Sequence, residues 1–241
     1  MKKIYLLAAF SAALFISVGL LGCNGAGCKG GSGKMITEER QAMAFTKLNV
    51  SGDFDVHIKQ DSVSGVSITA DDNLIQYIKT GVEGDELTVK SKDNICSSGR
   101  FVLNIRVRDV SAISTSGAVN LSSTGKLNTK DLELNFSGES KITLDINSGN
   151  LKTGGSGSTE LNLTGQATSH TVDVSGSLTL NALNLVAGKY SIETSGDSKC
   201  KINVLNELNV SSSGSSDVEY RGNPTKIHED KSGSSTLKKI E

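Results

Sequence analysis

The chain has 241 residues, a net charge of −1, 26 glycines, a single proline and no tryptophan. That length holds one elongated domain with a sizeable core. The near-neutral charge, with no basic patch, argues against a nucleic-acid partner, and the regularly placed Leu, Ile and Val argue against a disordered chain.

The N-terminus reads as an export signal. Lys2 and Lys3 precede an apolar run from Ile4 to Leu21. The run approaches the length of a membrane span, but it ends at Leu20-Leu21-Gly22-Cys23, which resembles a bacterial lipobox. Signals of that kind are cleaved before the cysteine, and the cysteine is lipidated. Residues 1–22 are therefore read as a lipoprotein signal peptide and left out of the fold. Residues 23–44 are read as the lipidated Cys23 followed by a flexible, Gly-rich tether. Within it, residues 35–44 suit a short helix or more tether.

Residues 45–241 are read as a single domain. Alternating apolar residues predict strands at Leu48–Val50, Phe54–Ile58, Val66–Ile68, Leu87–Val89 and Val102–Val107. Asp71 or Asp72 is placed to cap a helical turn over 73–78, although a strand fits there too. No linker separates this half from the regular repeats, so it is expected to form the first rungs of the same structure.

From residue 116 the dipeptide Ser-Gly returns at near-even spacing, with glycines at Gly117, Gly138, Gly157, Gly176, Gly196, Gly214 and Gly233. The steps are 21, 19, 19, 20, 18 and 19 residues. A fixed period near 20 residues marks a solenoid, whose units bury their cores only against their neighbours. Four residues after each glycine stand Leu121, Ile142, Leu161, Leu180, Cys200, Val218 and Leu237, all apolar. Four before stand Ile113, Leu134, Thr153, Val172, Ile192, Val210 and Glu229. Between these anchors the pattern alternates with period two, so each unit carries short strands with one buried face. Glycine suits the corner because it adopts positive φ without a Cβ clash. The expected architecture is all-β, a right-handed parallel β-helix of about 20 residues per coil. The uneven steps disfavour a strict hexapeptide left-handed helix. The last unit is rich in charge, as suits a solvated end.

The four cysteines divide by context. Cys23 is the lipid site. Cys200 falls in an inward column and reads as a small buried hydrophobe. Cys28 and Cys96 lie in polar stretches. An exported protein permits their oxidation, and the sequence leaves that pairing open.

Val50-Ser51-Gly52-Asp53-Phe54-Asp55-Val56-His57-Ile58-Lys59-Gln60, together with Ile68-Thr69-Ala70-Asp71-Asp72-Asn73-Leu74-Ile75, resembles the opening of the "putative auto-transporter adhesin, head GIN-domain" family. Gly84-Asp85-Glu86-Leu87-Thr88-Val89 and the later Ser-Gly units match its style, and the likeness runs from Phe45 to the C-terminus. The resemblance implies a right-handed parallel β-helix, often on envelope lipoproteins of Gram-negative bacteria, and implies no catalytic residues. No membrane barrel comes after the repeats, so the lipid on Cys23 is the expected anchor.

Chemistry is sparse. Glu139, Asp145, Glu160, Asp173, Glu193, Asp197, Asp217 and Glu219 fall at scattered offsets from the glycines and read as solvated outward positions. Asp53, Asp55 and His57 share one face, where a triad or metal site competes weakly with simple exposure. His170 occupies an offset that holds Leu or Ile elsewhere and reads as a core or corner residue. The glycines form no phosphate loop, and Gly154-Gly155-Ser156-Gly157-Ser158-Thr159 lacks the acid of a calcium nonapeptide. No cofactor is expected. The first functional reading is a non-enzymatic lipoprotein of the Gram-negative envelope, in the outer membrane. It binds a cell-surface or extracellular protein or glycan. The alternatives are a polysaccharide lyase or hydrolase on the same fold, or a structural periplasmic lipoprotein.

Overall fold

The computed structural model describes residues 28–92, 95–96 and 101–241. The expected signal peptide (1–22), the lipid site Cys23 and residues 24–27 lie outside the described residues. In chain order the strands are β1 (Lys29–Gly30), β2 (Met35–Arg40), β3 (Lys47–Gln60), β4 (Gly65–Asp71), β5 (Ile78–Glu83), β6 (Glu86–Ser91), β7 (Ile95–Cys96), β8 (Phe101–Val107), β9 (Ala112–Asn128), β10 (Asp131–Arg221) and β11 (Lys226–Lys239). The protein is all-β. Among the described residues there is no α-helix, and a 3-10 turn at Ile75–Tyr77 precedes β5. Pro224 falls in the gap between β10 and β11, where no ladder amide is required.

β10 holds 91 residues. Drawn straight, it would span roughly 300 Å at about 3.3 Å per residue. It instead lies against itself, with Gly157 beside Gly138 and Gly176 beside Gly157. The pairing fixes how successive repeats meet. β9 lies parallel to β3 with Gly117 opposite Gly52, and the start of β10 lies parallel to β9 with Gly138 opposite Gly117. At the far end β11 lies parallel to β10 with Gly233 opposite Gly214. Ser51-Gly52 is thus the first member of the repeated corner, a copy ahead of the even spacing because 65 residues separate it from Gly117.

The corner is a column of backbone-to-backbone contacts. All eight glycines have positive φ, from +94° at Gly138 to +135° at Gly52. A Cβ on Gly157 would stand 2.3 Å from the carbonyl oxygen of Gly138, and one on Gly176 would stand 2.5 Å from that of Gly157. The same relation links Gly196 to Gly176 and Gly214 to Gly196. Any side chain there both strains φ and strikes the preceding row.

Register at the corner sets the core. Leu121, Ile142, Leu161, Leu180, Cys200 and Val218 are all buried, at 2% exposure or less. Ile113, Leu134, Val172, Ile192 and Val210 form a second buried column, and Leu132, Leu151, His170, Tyr190 and Leu208 a third. Each buried aliphatic contributes roughly 1.5–3 kcal/mol. Next to the corner the inward positions mix apolar residues with buried hydroxyls, and Thr115 Oγ1 meets Ser140 Oγ at 3.0 Å.

Outward residues form ladders between adjacent rows. Lys126–Asp145, Lys141–Glu160, Lys189–Glu207 and Lys201–Glu219 are ion pairs at 3.1–3.6 Å. Solvent screens these exposed pairs, so they add little to stability. Gln166 donates to Asn147, which donates to Asn128.

The first half departs from simple continuation. β3 is parallel to β6, β8 and β9, whereas β4 pairs antiparallel with β2 and β8, and β5 antiparallel with β6. The stretch read as tether is docked from Cys28 onward. Cys28 is disulfide-bonded, β1 pairs with β7, and β2 is the edge strand rather than a helix. Asp71 caps no helix. It is buried, and its carboxylate accepts the Gly33 N–H at 2.7 Å. The Arg40 guanidinium donates to the Ile78 carbonyl at 2.6 Å and the Ile75 carbonyl at 3.2 Å. A contact between residues some 40 positions apart leaves no local pattern in the chain.

The opposite end closes differently. In β11 the inward column carries Glu229, opposite Val210, and Lys231 lies opposite Ser212. The two pair with each other as ions. Ile227, opposite Leu208, is 48% exposed. An inward ion pair on an edge strand opposes the addition of another strand, because stacking would desolvate it.

Gly176→Val is expected to destabilise by at least about 1–2 kcal/mol from φ strain alone. Leu161→Ala is expected to cost about 2–5 kcal/mol. Thermal or urea unfolding reads both. Replacing Glu229 and Lys231 together by valine is expected to increase end-to-end association, read as a rise in light scattering relative to the unsubstituted protein.

Candidate functional site: a hydroxyl and carboxylate groove

The residue before each corner glycine is serine in every row: Ser51, Ser116, Ser137, Ser156, Ser175, Ser195, Ser213 and Ser232. Period two puts this column on the outer wall, and Ser51 Oγ lies 2.9 Å from Ser116 Oγ. Two positions earlier, also outward, stand Asn135, Gly154, Asp173, Glu193, Ser211 and Asp230. The chain bends at the glycine, so the two columns border a groove that crosses successive rows.

The groove opens into two neighbouring clefts that share Asp173. One, of about 160 Å³, is lined by Asp173, Glu193, Ser195, Ser211, Ser213, Asp230 and Ser232. The other, of about 370 Å³, is lined by Asn135, Ser137, Gly154, Gly155, Ser156, Asp173 and Ser175. The glycine pair at 154–155 has a packing reason. A Cβ on Gly155 would lie 2.5 Å from the Phe136 carbonyl oxygen. Sequence offsets suggest scattered acids, yet Asp173, Glu193 and Asp230 share one offset and one wall. The signal is present in the chain: each lies three residues before its glycine. Aligning every column, not only the apolar ones, finds it.

Chemically the groove offers hydroxyls that donate and accept, and carboxylates that accept. Neighbouring rows repeat these groups about every 4.8 Å. That arrangement suits an extended polar ligand lying along the stack of rows.

The other candidate residues sit elsewhere on the stack. His57 Nδ1 lies 2.9 Å from Ser122 Oγ, and Asp55 accepts from Asn120 Nδ2 at 2.8 Å. Both are bonds to the next row, so this face is part of the outer ladders. Among the described residues no group of three His, Cys, Asp or Glu is arranged to hold a metal ion. Glu160 and Glu207 are held below the usual carboxylate range by their neighbours. Asn162 and then Lys141 act on the first, and Asn209 and then Lys189 on the second. Asp131 is lowered by hydrogen bonds from the Asn150 backbone and side chain.

His170 belongs to the core. It is fully buried, its Nε2 lies 2.9 Å from Thr153 Oγ1, and its ring is tilted over Tyr190 at 5.1 Å. Burial depresses its pKa to about 3. Cys200 is a buried free thiol whose pKa burial pushes up to about 12, which leaves it unreactive. His170 Nδ1, Tyr190 OH and Ser198 Oγ are buried without hydrogen-bond partners.

Because the folded pKa of His170 is depressed, its neutral form supports folding fully above the unfolded value near 6.5. That support falls as pH drops from there toward 3. Between pH 7 and pH 5, above the carboxylate range, the loss is about 2 kcal/mol. Urea unfolding at the two pH values reads it, and Thr153→Val with His170→Leu is expected to remove this increment.

No curated protein matches this sequence. Among solved structures, an adhesin described as putative from Bacteroides fragilis superposes with a TM-score of 0.82 at 20% identity, over 88% of this chain and 99% of that one. One from Parabacteroides merdae, also described as a putative adhesin, gives 0.67 at 19% identity, over 88% and 98%. A Parabacteroides distasonis structure described as a "putative lipid binding protein" gives 0.69 at 19% identity, over 88% and 99%. At these identities the likeness establishes the shared fold alone. Residues 44–224 match the family described as "Putative auto-transporter adhesin, head GIN domain". The chain, with its in-register glycine corners and its match over most of its length, belongs to that family.

Proposed function

We propose that this protein is a non-enzymatic binding protein of the bacterial envelope, anchored by lipid on Cys23 after removal of residues 1–22. Its domain is a right-handed parallel β-solenoid with corners at Gly117, Gly138, Gly157, Gly176, Gly196, Gly214 and Gly233. The wall of stacked rows presents the serine and carboxylate groove to a cell-surface or extracellular protein or glycan. The anchored form belongs to the outer membrane of a Gram-negative cell.

The observation that carries this reading is the groove itself: an open, hydroxyl-rich strip that continues from row to row. Repetition gives many weak polar contacts in line, which is how an extended surface gains avidity. The family description and the relatives named as adhesins point the same way. The parallel pairing, with glycine opposite glycine at offsets of 19 and 21 residues, supports the solenoid.

A second reading is favoured by a different cleft of about 360 Å³, whose lining includes Ala167, Val186 and Leu205 among polar neighbours such as Asn147, Gln166 and Lys189. Val186 and Leu205 are 36% and 51% exposed. Such an apolar strip suits an acyl chain, in keeping with the relative named for lipid binding.

Protease shaving of intact cells is expected to remove this protein from the surface. The purified domain is expected to bind a target on a panel of envelope and extracellular glycans and proteins. Asp173→Lys with Glu193→Lys and Asp230→Lys is expected to abolish that binding, with stability changed by under about 1 kcal/mol. Release of reducing ends from any glycan would overturn the non-enzymatic reading. Binding that survives the triple variant but fails on Leu205→Asp would favour the apolar cleft.

A further inference from the structure

We propose that the end of the domain bearing β2 is a membrane-contact face that lies against the bilayer holding the lipidated Cys23. This rests on the lipid anchor proposed above.

The first argument is chain length. The backbone is clamped from Cys28 onward. Cys28 is disulfide-bonded, Ser32 N–H donates to Asn73 at 3.0 Å, and Asp72 N–H donates to the Lys34 carbonyl at 2.9 Å. Only Asn24 to Gly27 separate Cys28 from Cys23. Five Cα steps reach at most about 18 Å. A leash that short cannot let the domain stand away from the headgroups or turn its other end toward them.

The second argument is what that end exposes. β2 is one edge of the strand order and β11 the other. Met35 on β2, Met43 just beyond it and Val63 before β4 are 53%, 70% and 55% exposed. Met43 and Val63 flank the same end of the antiparallel β2–β4 pair, where Arg40 faces Val66. Exposed Lys29 and Lys34 lie at the other end, beside the clamp, where Lys29 sits 4.0 Å over the Tyr77 ring and Lys34 pairs with Asp72 at 3.6 Å. Exposed apolar side chains at one end of this strand pair, with Met35 and lysines at the other, suit the boundary between headgroups and acyl chains. β11 then points outward. Its corner glycine stands about 34 Å above that of β3, seven row spacings of about 4.8 Å.

The test uses the full-length lipidated protein in phosphatidylethanolamine–phosphatidylglycerol vesicles containing doxyl-labelled lipid. An environment-sensitive fluorophore is placed at Met43→Cys or at Ser234→Cys, and intact mass reads the acyl chains on Cys23. Acylated protein with quenching at Met43→Cys and none at Ser234→Cys is the expected result. Acylated protein quenched at neither site or equally at both overturns the contact face while the anchor stands. A Met43→Cys label shielded by a dimer in detergent, and unquenched in vesicles, overturns it in favour of a second copy. Protein without acyl chains on Cys23 overturns the anchor and the contact face together.

Discussion

The structure depends on one contact: backbone of one corner against backbone of the corner before it. From Gly117 to Gly233 a Cβ would come within 2.3–2.6 Å of the preceding carbonyl oxygen. No side chain fits, and φ there is positive. The contact fixes register, and register is everything in a structure of stacked parallel strands. A slip of one residue would turn every inward Leu and Ile outward. With the corners aligned, the buried columns, the Lys–Glu ladders and the serine column result from position alone.

Stacked rows leave two raw edges, and the chain treats them differently. At the start, β2 runs antiparallel over β4, while the Arg40 guanidinium and the Asp71 carboxylate fasten the segment by charge-assisted hydrogen bonds to backbone. At the finish, β11 keeps the register but fills its inward positions with Glu229 and Lys231. The first edge is covered by chain, and the second is made unwelcoming to more strand.

The outer wall is where this backbone is free to vary. Nothing in the row contact restricts the residue at an outward position, so the same scaffold can carry any polar surface. Here the wall beside the corner carries hydroxyls throughout and carboxylates at Asp173, Glu193 and Asp230. The core, by contrast, takes polar groups mostly as small hydroxyls, such as Thr115, Ser140 and Thr194. His170 is admitted neutral, with Thr153 as partner, and Cys200 as a small apolar filler.

The Ser-Gly period, the inward columns at Leu121 through Val218 and the burial of Cys200 were all legible in the residues, because each depends on spacing along the chain. So was the family, from the motif around Val50 to Ile75. The groove was half legible: the serine column is plain, but the shared offset of the acids is lost unless every column is aligned. Other features depended on partners far away in the chain. They include β2 as an edge strand, the antiparallel pairing of β4, the buried Asp71 beneath Gly33 and the Thr153–His170 bond. A period reports which face a residue takes, since that is set by local backbone geometry. It is silent on which distant segment covers that face, since that is decided only when the whole chain has found its lowest free energy.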